Sequence, residues 1–281
     1  MRQITIKTIS NHEGILEKLV ADLLIENYFM EINPKAKFPC ELSIISEKIT
    51  SEELKKTLTS EKLPSNEFEI ITFDQDETDW LTEWKKYFQQ FEVGKNILVL
   101  PAWEDVPSTD KLVIKVDPGM AFGTGSHATT YLCLELLSEL IKPDMQVLDF
   151  GAGSAILAVA AVKLGAKRCD AVEIDPEAVK YAQKNVDLNE CGNQINLYTG
   201  STEQIPLKNY DLIVANITAD VLIELYDQII KDQQNLKYLI LSGISEFRKT
   251  QMDNFLFSKE IIPWEIRFMN GWYTYLLKPT I

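Results

Sequence analysis

The sequence predicts an α/β protein in which a small α+β domain precedes a doubly wound parallel sheet that ends in an antiparallel hairpin. Strand and helix patterns follow the order βαββαβ over about the first 75 residues. From about Val93 onward, short apolar strands alternate with helical patterns, which is typical of a parallel sheet. Near the end, Asn270-Gly271 is the signal for a two-residue hairpin. We therefore expect a first domain over 1–75, a linker helix over 76–92 and a second domain over 93–281.

The first domain shows six elements in sequence. A strand over Arg2 to Thr8 is followed by an amphipathic helix over residues 11–26, and then by the strands "YFMEIN" and "CELSIISE". "SEELKKTL" predicts a second helix with a serine cap and an acidic first turn, and "EFEIITF" predicts the last strand. This order is the ferredoxin-like pattern. No residue in it suggests catalysis, so we interpret it as a substrate-recognition domain.

Aromatic residues recur at helical spacing in the predicted linker. They are either a binding face or the buried side of a connecting helix, and we favour the second because aromatic stripes are usually core. The residues are Trp80, Trp84, Tyr87, Phe88 and Phe91.

The second domain begins its alternation with the strand "MQVLDF" and an alanine-rich helix over 156–164 that Gly165 ends. The strand "CDAVEID" follows, and Asp175 caps a helix with Pro176 at its first position. "INLYTG", "YDLIVANI" and "KYLILSGI" predict three more strands, with a helix over about 219–231 before the last of them. Ligands of such sheets bind beyond the carboxyl ends of the strands.

A glycine loop after the first of these strands points to an adenosine-type ligand. Gly151 and Gly153 let a ligand approach the backbone, and Glu173 lies 22 residues after Gly151. A carboxylate about 20 residues after such a loop can bind both ribose hydroxyls. The dinucleotide fingerprint requires a third glycine where this chain has Ile156, and no P-loop lysine follows. Asp149 would repel a pyrophosphate and suits an ammonium group, which favours S-adenosylmethionine over NAD.

Composition narrows the choice of compartment and partner. The net charge of −14 and pI of about 4.7 disfavour direct nucleic-acid binding and would attract a basic protein, although acidity alone also serves solubility. The four cysteines are scattered, and the two histidines lie far apart, so we expect reduced thiols and no metal. No signal peptide or membrane-spanning run is evident. We expect a cytoplasmic monomer without membrane association.

Four stretches together resemble one family. They are "DPGMAFGTGSHATT", "VLDFGAGSAILAVAAVKLGA", "VEIDPEAV" and "VANITADVL". The first is the specific signature of the PrmA family of bacterial methyltransferases, which modify the eleventh protein of the large ribosomal subunit. The other three are shared more widely among class I methyltransferases. The resemblance covers nearly the whole chain. It implies a class I methyltransferase Rossmann-like sheet, preceded by a small ferredoxin-like domain that holds the basic ribosomal protein.

The resemblance also assigns the site. It implies that Thr130 contacts the methionine end of S-adenosylmethionine, that Gly151 lies against this cofactor and that Glu173 holds its ribose. Asn216 is expected beside the transferable methyl group, as both a cofactor-binding and a catalytic residue. The chain departs from the family at Ala155, where glycine is usual, which puts the detailed path of the loop in doubt.

The expected reaction is methylation of lysine or N-terminal amines of the ribosomal protein. The Asn216 side-chain oxygen and the backbone carbonyl after it are candidate acceptors for the amine hydrogens. Phe122 either faces the sulfonium or is a core anchor, and His127 is either a catalytic base or, as we favour, a structural hydrogen-bonding residue. The alternatives are a methyltransferase of another protein or small molecule, an NAD-dependent oxidoreductase, and a non-catalytic binding module.

Overall fold

The computed structural model describes residues 2–8, 15, 16, 19, 28–32, 40–46, 49–60, 63, 64, 66–74, 89–117, 127–204, 209–231 and 233–279. The chain divides into two compact units, Met1–Tyr87 and Phe88–Ile281. Among the helices in these ranges, none has both the length and the apolar character that crossing a membrane requires.

The N-terminal unit is built on a four-stranded antiparallel sheet in the order β2-β3-β1-β4. The strands are β1 (Arg2–Thr8), β2 (Tyr28–Ile32), β3 (Cys40–Ser46) and β4 (Phe68–Asp74), and helix α1 (Ser51–Ser60) precedes β4. Of the predicted helix over 11–26, residues 15, 16 and 19 are described, and all three are helical. Leu54 and Leu58 of α1 pack with Ile4 and Ile6 of β1 in one core. This unit therefore has a hydrophobic core of its own.

The cap of α1 differs from the predicted serine. The Thr50 hydroxyl accepts from the Glu53 backbone N–H at 3.2 Å, and the Glu53 carboxylate accepts from the Thr50 N–H at 2.9 Å. These reciprocal bonds form a capping box. Ser51 is instead the first helical residue, and its hydroxyl pairs with that of Thr72 at 2.6 Å.

The second unit opens with a three-stranded sheet that the sequence did not predict. Its strands are β5 (Phe91–Val93), β6 (Ile97–Pro101) and β7 (Leu112–Val116), in that order across the sheet. The linker helix predicted over 76–92 lies mostly outside the described residues, and its predicted end is wrong because Phe91 and Glu92 belong to β5. Alternating Phe-Glu-Val before Gly94, whose φ is 54°, suits a strand that enters a turn.

The main sheet of this unit has seven strands in the order β10-β9-β8-β11-β12-β14-β13. Strands β8 to β12 are parallel, and β14 runs antiparallel to both of its neighbours. The bounds are β8 (Gln146–Phe150), β9 (Arg168–Glu173), β10 (Ile195–Thr199), β11 (Leu212–Asn216), β12 (Tyr238–Ser245), β13 (Glu265–Met269) and β14 (Trp272–Leu277). Asn270 and Gly271, with φ of 49° and 83°, form the predicted turn between the last two strands.

Helices cover both faces of this sheet, as expected for a doubly wound fold, although the sequence predicted only the three helices over 156–164, after Asp175 and over about 219–231. They are α2 (Ala128–Leu140), α3 (Ile156–Lys163), α4 (Pro176–Leu188), α5 (Ala219–Ile230) and α6 (Lys249–Ser258), with short 3₁₀ turns at Thr202–Gln204 and Glu246–Arg248. Val147 and its alternate neighbours pack with α2, α3 and α4, whereas Leu148 packs with α5 and α6. The carboxyl ends of the parallel strands meet at one edge, where the predicted site residues lie.

Candidate active site

The chain has two glycine motifs: the first is "DPGMAFGTGSHATT" at 117–130, and the second is the loop over 151–154. This second glycine loop follows β8 and is bonded to the end of β9. The Gly151 and Ala152 N–H groups donate to the Val172 carbonyl at 2.9 and 2.8 Å. Gly151 has a φ of 76°, and a Cβ there would lie 2.2 Å from Cγ2 of Ile217. The backbone conformation and the limited space therefore both favour glycine at 151.

Gly153 and Glu173 are brought into direct contact. One carboxylate oxygen of Glu173 accepts from the Gly153 N–H at 2.8 Å, and the other accepts from the Asp175 N–H at 3.0 Å. Each carboxylate oxygen has a second lone pair, so these bonds still allow Glu173 to accept from two ligand hydroxyls. The contact also fixes the glycine loop against the end of β9.

Thr130 and Asn216 form a second contact between predicted site residues. Thr130 lies in the first turn of α2, and Asn216 ends β11; both are buried. The Asn216 Nδ2 donates to the Thr130 hydroxyl at 3.4 Å. The Asn216 Oδ1 is buried and has no hydrogen-bond partner within the described residues. A buried amide oxygen without a partner is costly, and a ligand N–H group would satisfy it.

His127 serves as the N-cap of α2. Its Nδ1 accepts from the Thr129 N–H at 3.4 Å, and the ring lies edge-on to Trp272 at 4.8 Å between centroids. Burial lowers the pKa of His127 to about 4, so the imidazole is neutral at pH 7 and is a weak base. The capping role accounts for its position. Phe122 and the rest of 118–126 lie outside the described residues.

Asp149 faces the interior. Its Oδ2 accepts from the Ala158 N–H in the first turn of α3 at 3.0 Å, whereas Oδ1 has no partner among the described residues. Burial raises the pKa of Asp149 to about 7. The side chain is fully buried, and its bond to Ala158 caps α3. The expectation that it lies against a ligand ammonium therefore remains a prediction.

Two residues that shape this edge of the sheet were not predicted from the sequence. Gly243 of β12 has a φ of 85°, and a Cβ there would lie 2.3 Å from the Ile217 carbonyl oxygen. Ile217 is thus held between Gly151 and Gly243, which fixes the turn after Asn216. The sequence did contain a sign of the role of Gly243, because a glycine inside a predicted strand often marks a close approach of another backbone. The second residue is Asn185 of α4, which bonds to backbone atoms of both glycine motifs.

The arrangement fits an adenosine ligand that carries no phosphate. The glycine loop allows close approach, Glu173 can accept from ribose hydroxyls, and the unpartnered Asn216 oxygen can accept an N–H group. Ile156, at the position of the third glycine of dinucleotide-binding proteins, is a buried residue that opens α3. This agrees with the sequence argument against NAD.

Comparison with known proteins adds the family. The model of the family described as ribosomal protein L11 methyltransferase (PrmA) matches residues 8–279. A protein of that name from Caldicellulosiruptor saccharolyticus is 42% identical over 263 residues, which cover 89% of this chain and 83% of the relative. Its namesake from Caldicellulosiruptor bescii is 36% identical over 97% of this chain and 90% of the relative.

One solved structure that is similar to this chain carries a matching name. The crystal structure of ribosomal protein L11 methylase from Lactobacillus delbrueckii subsp. bulgaricus is 32% identical and superposes with a TM-score of 0.61, covering 68% of this chain and 98% of that chain. The chain belongs to the ribosomal protein L11 methyltransferase (PrmA) family.

Proposed function

We propose that this protein transfers methyl groups from S-adenosylmethionine to lysine and/or N-terminal amines of ribosomal protein L11. The observation that carries the proposal is the convergence of two contact pairs, Gly153–Glu173 and Thr130–Asn216, at the carboxyl edge of the parallel sheet. Membership of the family and the names of the similar proteins support the same substrate and methyl donor.

The cofactor supplies an electrophilic methyl group on a sulfonium. In the proposed complex Glu173 accepts from the ribose hydroxyls, while Gly151 and Gly153 allow the backbone to lie against the ligand. Thr130 contacts the methionine end. These roles follow from the family resemblance, and the hydrogen bonds of Glu173 and Thr130 support them.

Asn216 orients the acceptor amine. Lysine has a pKa of about 10.4 in water, so the reactive neutral amine must be favoured inside the site. Desolvation and a nearby positive charge both disfavour the ammonium form. The unpartnered Asn216 Oδ1 can then accept an amine N–H and direct the nitrogen lone pair. No strong base is needed for this step, which agrees with the low pKa of His127.

We assign substrate recognition to the N-terminal unit, as a ferredoxin-like domain. The strand order β2-β3-β1-β4 with antiparallel pairing supports that fold, and the separate core supports independent folding. None of the proposed cofactor-binding residues lies in this unit. The net charge of −14 favours a basic protein as the partner. Because the substrate is ribosomal, we place the enzyme in the cytoplasm, and we propose that it acts as a monomer.

Substitution of Asn216 tests the proposal. Asn216→Ala is expected to lower kcat on purified ribosomal protein L11 by roughly 100-fold, with a smaller change in S-adenosylmethionine affinity, because an orienting contact acts on turnover. Methyl transfer is measured with radiolabelled donor, and affinity by calorimetry. Asn193→Ala, in the exposed turn before β10, is the matched control.

Three outcomes would contradict different parts of the proposal. Full activity of the folded Asn216→Ala variant would remove the orienting role. A loss confined to cofactor affinity would make Asn216 a binding residue only. Transfer by the wild-type enzyme to other acceptors but not to L11 would overturn the substrate.

A further inference from the structure

One buried asparagine joins the two glycine motifs. Asn185 of α4 is 1% exposed. Its Oδ1 accepts from the backbone N–H of Asp117 at 2.7 Å, and its Nδ2 donates to the Asp117 carbonyl at 3.2 Å. The same Nδ2 donates to the Ser154 carbonyl at 3.0 Å. Asp117 is the first residue of "DPGMAFGTGSHATT", and Ser154 follows Gly153 in the second glycine loop.

We propose that Asn185 is a positioning residue that sets the shape of the cofactor site by holding the start of the first glycine motif against the second glycine loop. The inference rests on the proposed function, since the cofactor is S-adenosylmethionine. Ser154 directly follows Gly153, whose N–H binds the Glu173 carboxylate. A shift of Ser154 would therefore move the loop that places Glu173.

An amide is the side chain that this position requires. It presents one acceptor and two donors at the same short length, and all three backbone groups that it binds are served at once. Aspartate has no donor when ionised, and alanine has neither donor nor acceptor. Removal of a buried partner costs more than an exposed hydrogen bond would.

Asn189, one turn later on the same side of α4, is a natural control. Its Oδ1 accepts from the Lys115 N–H at 3.0 Å, and its Nδ2 donates to the Lys115 carbonyl at 2.7 Å. Both asparagines thus pair with backbone groups along and just after the edge strand β7. Asn189 has no hydrogen bond to the glycine loop among those that the structure gives for it.

The test compares matched substitutions in the full-length protein. Asn185→Ala and Asn189→Ala are both expected to lower Tm by similar amounts, because each removes buried hydrogen bonds to the same region. Asn185→Ala is expected to raise the Kd for S-adenosylmethionine at least tenfold, whereas Asn189→Ala should change it less than twofold. Calorimetry well below both Tm values separates the effect on affinity from the effect on stability.

Asn185→Asp is the second variant, with Asn189→Asp as its control. It keeps the acceptor for the Asp117 N–H but sets a carboxylate oxygen against the Ser154 and Asp117 carbonyls, so we expect a loss of affinity of at least tenfold. Asn185→Ser, which introduces a shorter hydroxyl side chain that can donate or accept one hydrogen bond, replaces either variant that does not fold.

Equal Kd values for the folded Asn185 and Asn189 variants would overturn the positioning role. That outcome would leave the proposed function intact, because Kd values can be compared only if the protein binds S-adenosylmethionine. A wild-type protein that binds none under the same conditions would overturn the proposed cofactor itself.

Discussion

Glu173 shows at the scale of one residue how a side chain can hold the fold and still keep acceptors for the proposed ligand. Its two carboxylate oxygens accept from the backbone N–H groups of Gly153 and Asp175, and each oxygen keeps a second lone pair. The residue type and its spacing from Gly151 were readable from the sequence. The contact with Gly153 was not, because a carboxylate-to-backbone bond leaves no pattern in the residue types.

Glu173→Ala is expected to weaken S-adenosylmethionine binding by roughly 10- to 100-fold, since hydrogen bonds to a charged group contribute about 1.5–3 kcal/mol. Calorimetric titration measures the change, and circular dichroism checks the fold. Glu224→Ala, at an exposed position of α5, is the control for loss of one negative charge. An unchanged Kd in a folded Glu173→Ala variant would contradict the ribose assignment.

Asp149 is expected to make stability depend on pH. Burial raises the pKa of this carboxyl to about 7, above its value of about 3.9 in an unfolded chain. Between these values the folded state holds a proton that the unfolded state has released. The contribution to the free energy of unfolding is therefore fully present below about pH 4 and is lost as the pH rises through about 7.

Asp149→Asn removes this titration, so the Tm of the wild-type protein relative to the variant should fall as the pH rises from about 4 to about 7. Thermal unfolding at several pH values, without cofactor, measures the difference. Asp144→Asn, at an exposed turn, is the control for the same substitution at the surface. A constant difference between wild type and Asp149→Asn would mean that Asp149 does not titrate in this range.

At the scale of elements, helix α3 begins in an unusual way. Its N-cap is Ala155, with φ of 60° and ψ of 20°, in the left-handed region where glycine is favoured. The family resemblance identified this position as one where glycine is usual. The alanine therefore adopts a left-handed conformation at the expense of backbone strain, which is about 1–2 kcal/mol for a non-glycine residue.

Ala155→Gly should consequently change the free energy of unfolding by less than about 1 kcal/mol. Relief of strain offsets the loss of a buried methyl group, about 0.8 kcal/mol, and the greater freedom of glycine in the unfolded chain, about 0.4–1 kcal/mol. Ala160→Gly, buried in the middle of α3, gains no relief and should cost about 2 kcal/mol. Denaturant unfolding compares the two, and equal losses would show that Ala155 is unstrained.

The elements that the sequence predicted are those with a strong period or a clear end signal. Asp175 caps α4 through the Glu177 N–H at 2.8 Å, with Pro176 following, as predicted. Strand β5 was missed because its three residues adjoin an aromatic run with helical spacing. Helix α2 was not predicted from the sequence. Its first turn overlaps the first glycine motif, and its apolar residues are not confined to one face. Asn185 binds backbone 68 residues away, which no local pattern reveals.

At the scale of the whole molecule, the division into two units separates the proposed recognition surface from the proposed chemistry. The proposed cofactor-binding residues all follow Phe88, and the unit before it has its own core. Binding energy from a remote part of a substrate can be used to position the reacting group. The N-terminal unit would supply that energy for an intact ribosomal protein.

A truncated chain that begins at Phe88 should therefore bind S-adenosylmethionine with a Kd within about twofold of the full-length value. Its kcat/KM for intact ribosomal protein L11 should fall by at least tenfold, because the positioning energy is lost. Circular dichroism establishes that the truncated chain is folded. If it methylates L11 as well as the full chain does, the N-terminal unit is not the substrate holder.

The burial of the cysteines has a practical consequence for labelling. The four thiols, Cys40, Cys133, Cys169 and Cys191, are all buried, and burial raises the pKa of Cys133 to about 12. Because only the thiolate reacts readily, maleimide dyes should leave the native cysteines largely untouched. Phe257 is 83% exposed on α6, so Phe257→Cys would provide one reactive thiol. A dye could then be attached at a defined point without removing any native cysteine.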